Sequence, residues 1–233
     1  MADLDIGAAK RMVATLLQQV ADPVKAPGMQ AYMKTDMPFY GVQKQSRAPI
    51  LRRLATEFPT GTADDYEAMV RGLWGLPHRE EKYLALGFAR SFESFVTPER
   101  FLLYRELIVD GAWWDFVDEI ATHLVRSLII DYPEAVWPIV DTWIHDEDMW
   151  LRRTAILCQV GAKDHTDPAR LFRFCETCSG EGEFFIRKAI GWALREYAKT
   201  DPDAVAGFIN THRDELSGLS FREGSKHIKH LIR

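Results

Sequence analysis

Segments opening on Arg79, Trp114, Trp150 and Phe185 recur 35, 36 and 35 residues apart, and this period constrains the fold more than any other feature of the chain. The stretches behind two of them rhyme: Trp-Leu-Arg-Arg-Thr-Ala-Ile-Leu at 150–157 and Phe-Ile-Arg-Lys-Ala-Ile-Gly-Trp at 185–192. A helical hairpin of about 36 residues cannot bury its apolar face alone and must stack on the next, which is the signature of an α-solenoid of short HEAT-like repeats. Equivalent positions in successive repeats then line one concave surface.

The rest of the chain agrees with that class. Leu4–Val20 spaces Ile6, Met12, Val13, Leu16 and Leu17 as an amphipathic helix. Ala26–Lys34 follows, and Pro38–Val42 breaks it. Helices are expected at Lys44–Phe58, Asp64–Leu73 and Arg79–Phe92. Thr97-Pro98-Glu99 supplies a cap and an initial proline, with Gly111 as the stop. Trp113–Tyr132, Glu134–His145, Trp150–Ala162, Asp167–Cys178, Glu183–Lys199 and Pro202–Thr211 come next. Ser220-Phe-Arg-Glu223 has the capping-box spacing for a last helix running to Arg233. No segment alternates as a strand does, so the chain is read as all-α. No stretch rich in Pro, Gly or Ser divides it, and residues 1–233 are read as one domain.

Composition removes several functions. No apolar run approaches the roughly 18 residues of a membrane span, so no membrane partner is expected. Met1-Ala-Asp-Leu-Asp lacks the basic start of a secretory signal. Three cysteines fit a reducing cytoplasm better than a disulfide framework. Cys175 and Cys178 form a Cys-x-x-Cys, but a structural zinc site wants four ligands and Cys158 lies well upstream. The pair is read as a helix end. His78, His123, His145 and His165 show no ligand spacing, so neither a metal nor a cofactor is expected. The net charge of −5 counts against indiscriminate nucleic-acid binding. It is unevenly placed: residues 187–233 carry nine Lys/Arg against six Asp/Glu, leaving the first 186 residues at −8. Only a localised basic surface could engage phosphates.

Gly111–Asp118 reads Gly-Ala-Trp-Trp-Asp-Phe-Val-Asp. On a helix, Trp114 and Asp118 share one face, four residues apart. A π surface beside a carboxylate suits a cationic ligand or a developing positive charge. Taken alone, the commoner alternative is a packed tryptophan beside a solvated aspartate. Stacking shifts that balance. It brings Trp114 and Asp118 beside Trp150, Arg152 and Arg153, and then beside Phe184, Phe185, Arg187, Lys188 and Trp192. Aromatic and basic groups converging in a concavity grip a nucleic-acid backbone while touching base or sugar.

From about Met29 almost to the C-terminus, the chain resembles the AlkD family of DNA alkylation repair glycosylases. Residues 113–118, 150–157 and 184–200 carry the resemblance most strongly, with Tyr-Met-Lys (32–34) and Lys-His-Ile-Lys (226–229) as weaker matches. The resemblance implies a catalytic aspartate at Asp118, paired tryptophans at Trp114 and Trp192, and a phosphate-gripping arginine at Arg153. Tyr32, Phe184 and Phe185 fall on further aromatic positions of the cleft. Met37–Gly41 and Arg47–Ile50 fit the pattern less well.

The implied reaction is release of N3- or N7-alkylated purines from duplex DNA. Such bases are already cationic and leave readily, so one carboxylate suffices where sugar hydrolases deploy two. Asp118 then stabilises the oxocarbenium-like sugar and positions water. Trp114 and Trp192 hold sugar and base through their faces, each contact contributing roughly 0.5–2 kcal/mol. Arg153 holds a neighbouring phosphate. Arg187 and Lys188 extend the basic surface, and Arg222, Lys226, Lys229 and Arg233 form a stripe on the last helix that either grips backbone or is simply solvated. Arg152 is read as an ordinary surface ion-pairing residue. A monomer in the cytoplasm, associated with the nucleoid, is expected. The rival reading is a non-catalytic HEAT-repeat scaffold that binds DNA or protein without releasing bases.

Overall fold

A computed structural model describes residues 4–233. Residues 1–3, on which the reading of the N-terminus partly rests, lie outside the described residues. The chain divides into two compact units, Met1–Val96 and Thr97–Arg233. Every regular element among the described residues is helical.

The first unit holds α1 (Ile6–Gln19), α2 (Ala26–Met33), α3 (Lys44–Glu57), α4 (Ala63–Trp74) and α5 (Arg79–Ser91). Asp5 caps α1 by accepting the Ala8 N–H at 2.7 Å, satisfying a donor that the helix itself cannot. α1, α3, α4 and α5 pack together around Val13, Leu17, Leu54, Tyr66, Met69, Leu73 and Phe88, all fully buried. α5 opens on a charged run, Arg79 to Lys82, that is buried as well. The carboxylate of Glu80 accepts the backbone N–H groups of Tyr40, Gly41 and Val42 at 3.1, 2.9 and 2.9 Å. Three backbone donors keep a buried carboxylate tolerable and fix the Pro38–Val42 segment. Gly41 sits there at φ 83°, where a Cβ would lie 2.1 Å from the Asp22 carbonyl oxygen, so only glycine fits.

The second unit holds α6 (Phe101–Gly111), α7 (Trp114–Glu119), α8 (Arg126–Asp131), α9 (Pro133–Trp143), α10 (Met149–Leu157), α11 (Pro168–Thr177), α12 (Phe184–Tyr197), α13 (Pro202–Thr211) and α14 (Gly218–Gly224). α10 packs between α7 and α12, and α14 covers the far side of α12. α9, α11 and α13 pack on α10, α10 and α12 respectively. This is solenoid packing, with first helices stacked and second helices behind them. The helices opening on Arg79, Trp114, Met149 and Phe184 stand 35 residues apart in sequence, so the expected period holds.

Three expected elements differ. The span read as one helix, 113–132, is α7 and α8 joined by a π-helical turn, Ile120–Val125. The extra residue follows Asp118 almost directly, and such turns frequently occur at functional sites. The helix read to Ala162 stops at Leu157. Gly161 there takes φ 84°, and a Cβ would lie 2.5 Å from the Arg126 guanidinium, which donates to the Val160 carbonyl at 3.2 Å.

The last helix is the largest departure. It starts one turn early, capped by Ser217 rather than Ser220, and ends at Gly224 instead of Arg233. Gly224 packs closely on Leu194 and Ile209. Asn210 of α13 then fixes the tail, donating to the Leu231 carbonyl at 3.4 Å and accepting the Arg233 N–H at 2.9 Å. These tertiary bonds turn the chain after Gly224. The expected stripe of Arg222, Lys226, Lys229 and Arg233 therefore does not lie along one helix.

Candidate active site

The approach to Asp118 begins with a sharp backbone turn. α6 keeps Gly111 as its last residue, and the left-handed stop falls on Ala112 at φ 37°, ψ 39°. A left-handed L-residue is disfavoured by roughly 1–2 kcal/mol relative to its ordinary conformation. Ala112→Gly is accordingly expected to stabilise the protein by about 1 kcal/mol, raising the thermal midpoint by roughly 2–4 °C for a chain of this size. A lower midpoint in that variant would show that the Ala112 methyl makes contacts worth more than the strain.

Trp113 follows in extended conformation as the N-cap of α7. Its ring packs on Trp150 at 6.0 Å and on Phe185 at 5.4 Å between centroids. Trp150 and Phe185 lie 5.0 Å apart, and Phe184 meets Phe185 edge-on at 5.4 Å. Each such pair contributes about 0.5–1.5 kcal/mol beyond its buried area. The cluster ties together the starts of α7, α10 and α12. Helical spacing singles out Trp114, not Trp113, as the partner of Asp118. The available signal was the position just outside the helix, where extended backbone carries a side chain off the helical faces.

Trp114 and Asp118 stand four apart on α7, as expected. Both oxygens of Asp118 are held by Arg153: Nε donates to Oδ1 and Nη2 to Oδ2, each at 2.8 Å. Nη1 of Arg153 donates to the Phe185 carbonyl, and the guanidinium stands 5.8 Å from the Phe185 ring centroid. Three of its five N–H groups are thus engaged inside the protein. The Arg153 side chain is 3% exposed and that of Asp118 14%. Where the family resemblance implies a phosphate contact for Arg153, the structure turns the side chain inward onto the carboxylate and the first turn of α12.

Burial pushes the Asp118 carboxyl above its ordinary range. The hydrogen bonds and charge of Arg153 oppose that shift, and the charge of Asp115 adds to it. Thr122, inside the π-helical turn, donates its hydroxyl to the Asp118 carbonyl at 2.7 Å. The carboxylate is therefore fixed through its side chain by α10 and through its backbone by the turn behind it.

The remaining expected residues are placed as follows. Trp192 is half-buried on α12, in the same helix as Phe184 and Phe185. Phe184 is 52% exposed. Arg187 is half-buried, with a Nε that has no hydrogen-bond partner. Lys188 is paired with Glu223 at 2.9 Å, and Glu223 also takes Arg195. Hydrogen bonding to Lys188 holds the Glu223 carboxyl below its usual range. Lys226 and Lys229 are exposed beyond the end of α14. Tyr32 belongs to the first unit, on α2.

Arg152 is more than a surface partner. Its Nε and Nη2 grip Glu181 at 2.9 Å each, while Nη1 donates to the Asp146 and Glu147 carbonyls at 2.7 and 2.9 Å. It joins the loop before α10 to the loop before α12, beside the aromatic cluster. Cys158, Cys175 and Cys178 are buried thiols, and burial pushes Cys178 up to about 12. Cys178 caps the end of α11. Among the described residues, no group of three or more His, Cys, Asp or Glu is placed to hold a metal ion, and no helix is long and apolar enough to cross a membrane.

Residues 13–228 match a family model described as DNA alkylation repair enzyme. No curated protein matches the chain. Among solved structures, the chain is similar to one described as a predicted DNA alkylation repair enzyme from Enterococcus faecalis. The two are 29% identical with a TM-score of 0.76, over 89% of this chain and 96% of that one.

Proposed function

Because the chain belongs to the family of DNA alkylation repair enzymes, we propose that it is a monofunctional DNA glycosylase releasing cationic N3- and N7-alkylated purines from duplex DNA. The observation that carries this reading is the carboxylate of Asp118, nearly buried and gripped at both oxygens by Arg153. A carboxylate held in that way cannot swing to meet a substrate. It presents a fixed negative charge in a poorly solvated site, where electrostatic stabilisation of a cation is strongest.

In the reaction, the C1′–N bond breaks and its electron pair leaves with the base, neutralising the base's positive charge. The sugar is left as an oxocarbenium-like cation, which Asp118 stabilises. Water adds at C1′ and its proton passes to Asp118 or to solvent, yielding an abasic site. Trp114 and Trp192 offer faces to the sugar and the cationic base. Arg153 acts as a positioning residue, holding both oxygens of the Asp118 carboxylate in place. Phe184, Phe185, Arg187, Lys188, Lys226, Lys229 and, from the first unit, Tyr32 supply DNA contacts. The chain acts as one domain and as a monomer, in the cytoplasm close to the nucleoid, with no metal or cofactor.

Release of free base from duplex DNA containing N7-methylguanine tests this directly. A protein that binds such DNA and releases no base is a binding relative instead. The pH profile adds an independent check. Only ionised Asp118 stabilises a cation, so activity falls as the pH drops through its pKa. Burial raises that pKa, so the acid limb of the release rate, corrected for spontaneous depurination, is expected above the ordinary value of 3.8. An acid limb below 3.8 would mean that the Arg153 pair outweighs burial.

A further inference from the structure

The first unit carries a groove of about 550 Å³, a size typical of small-molecule sites. We propose that it binds a single unpaired nucleotide, base against its apolar wall and phosphate on its cations.

Three observations support this. First, α2 forms one wall and buries none of its eight residues, so its apolar side chains are not serving as core. Tyr32 on it is 71% exposed, and Met29 and Met33 flank it in the groove, with the buried Phe39 as floor. A tyrosine ring and polarisable thioethers are suited to the face of a nucleobase. Gly28 also lines the groove, and a Cβ added there would meet open space, with nothing within 4 Å.

Second, the charge is one-sided. Lys25, Lys44 and Arg47 line the groove, and no Asp or Glu does, in a protein whose net charge is −5. Lys25 also pairs at 2.6 Å with Asp22 outside the lining, and Lys44 and Arg47 are the cations that α3 brings to the groove. Third, Arg47 is preorganised. It stacks over Tyr83 at 4.3 Å from the ring centroid and donates to the Val42 carbonyl at 2.6 Å, the carbonyl of the segment that Glu80 fixes. Lys44 is the first residue of α3, whose N-terminus no side chain caps, and the helix dipole there favours an anion as well.

An anion with a planar apolar body matches all three features, whereas inorganic phosphate leaves the apolar wall unused and a nucleoside leaves the cations unused. The choice of a nucleotide over other aromatic anions rests on the DNA-repair reading above.

The test is a titration of the full chain carrying ¹³C-methyl methionine, using 2′-deoxyadenosine 5′-monophosphate, 2′-deoxyadenosine and inorganic phosphate as probes. Saturable shifts of the Met29 and Met33 methyl signals by the nucleotide are expected, with the buried Met69 unmoved. Gly28→Leu adds a bulky side chain to the groove lining on a helix that accepts leucine well and is expected to abolish those shifts. Lys44→Glu is expected to weaken binding at least tenfold. Asp118→Asn is expected to leave it unchanged, so loss of base release and loss of groove binding are read separately. The assignment is overturned if the nucleotide produces no shift, if nucleoside or phosphate alone binds as well, or if Gly28→Leu retains wild-type affinity.

Discussion

Asp118→Asn is expected to lower the rate of N7-methylguanine release from duplex DNA by at least about a hundredfold, roughly 2.7 kcal/mol of transition-state stabilisation. Asparagine keeps the shape of aspartate and can still accept from Arg153 at its amide oxygen, but it carries no charge to offer the sugar cation. It also leaves the buried guanidinium short of its anion, so stability should fall together with activity. The two effects separate because the assay is run well below the variant's unfolding midpoint, on protein shown folded by circular dichroism. Equal release by wild type and variant would keep a glycosylase and remove Asp118 from its centre. Absence of release by both, with DNA still bound, would favour the scaffold reading.

That the sequence leads to this residue at all follows from how local the decisive signals are. Asp118 and Arg153 are 35 residues apart, the spacing of the repeat itself, so stacking one repeat on the next is enough to bring them together. Trp114 and Asp118 share a face because a helix forms there, and the spacing of its residues is visible in the chain. What was not legible depends on contacts made at a distance. The π-helical turn after Asp118 leaves no composition signature, because Ile120–Val125 holds no glycine or proline and reads like the continuation of a helix. The premature end of α14 is set by Asn210 reaching the tail from α13, and Glu80 looks like a surface residue until the backbone of 40–42 is laid against it. The inward turn of Arg153 belongs to the same class. Its sequence context gives a cation near an aromatic, and only the packing of α10 between α7 and α12 shows that the cation has nowhere to go but Asp118 and the Phe185 carbonyl.

Arg153→Met is expected to give the largest stability loss of any single substitution in the site. Methionine fills much of the same volume and removes the charge, so the main penalty comes from what is left behind. Asp118 loses two charge-assisted hydrogen bonds while 14% exposed, and the Phe185 carbonyl loses its donor. Removing one partner of a buried ion pair typically costs about 3–5 kcal/mol, which corresponds to a fall of roughly 6–20 °C in thermal midpoint for a chain of this length. The penalty carries its own pH signature. Burial already raises the Asp118 pKa, with Arg153 opposing the shift, so deleting Arg153 raises it further. An orphaned carboxyl in the variant can then take up a proton as the pH falls, which relieves the uncompensated charge, so the gap between wild type and variant should narrow at acid pH. Arg153→Lys provides the discriminating comparison. A lysine restores the charge but not the two-point grip. It is expected to recover part of the stability while leaving base release well below wild type, because the carboxylate is then neutralised without being aimed. If Arg153→Lys instead restores full activity, charge alone is what Asp118 requires, and the bidentate geometry is a feature of folding rather than of catalysis.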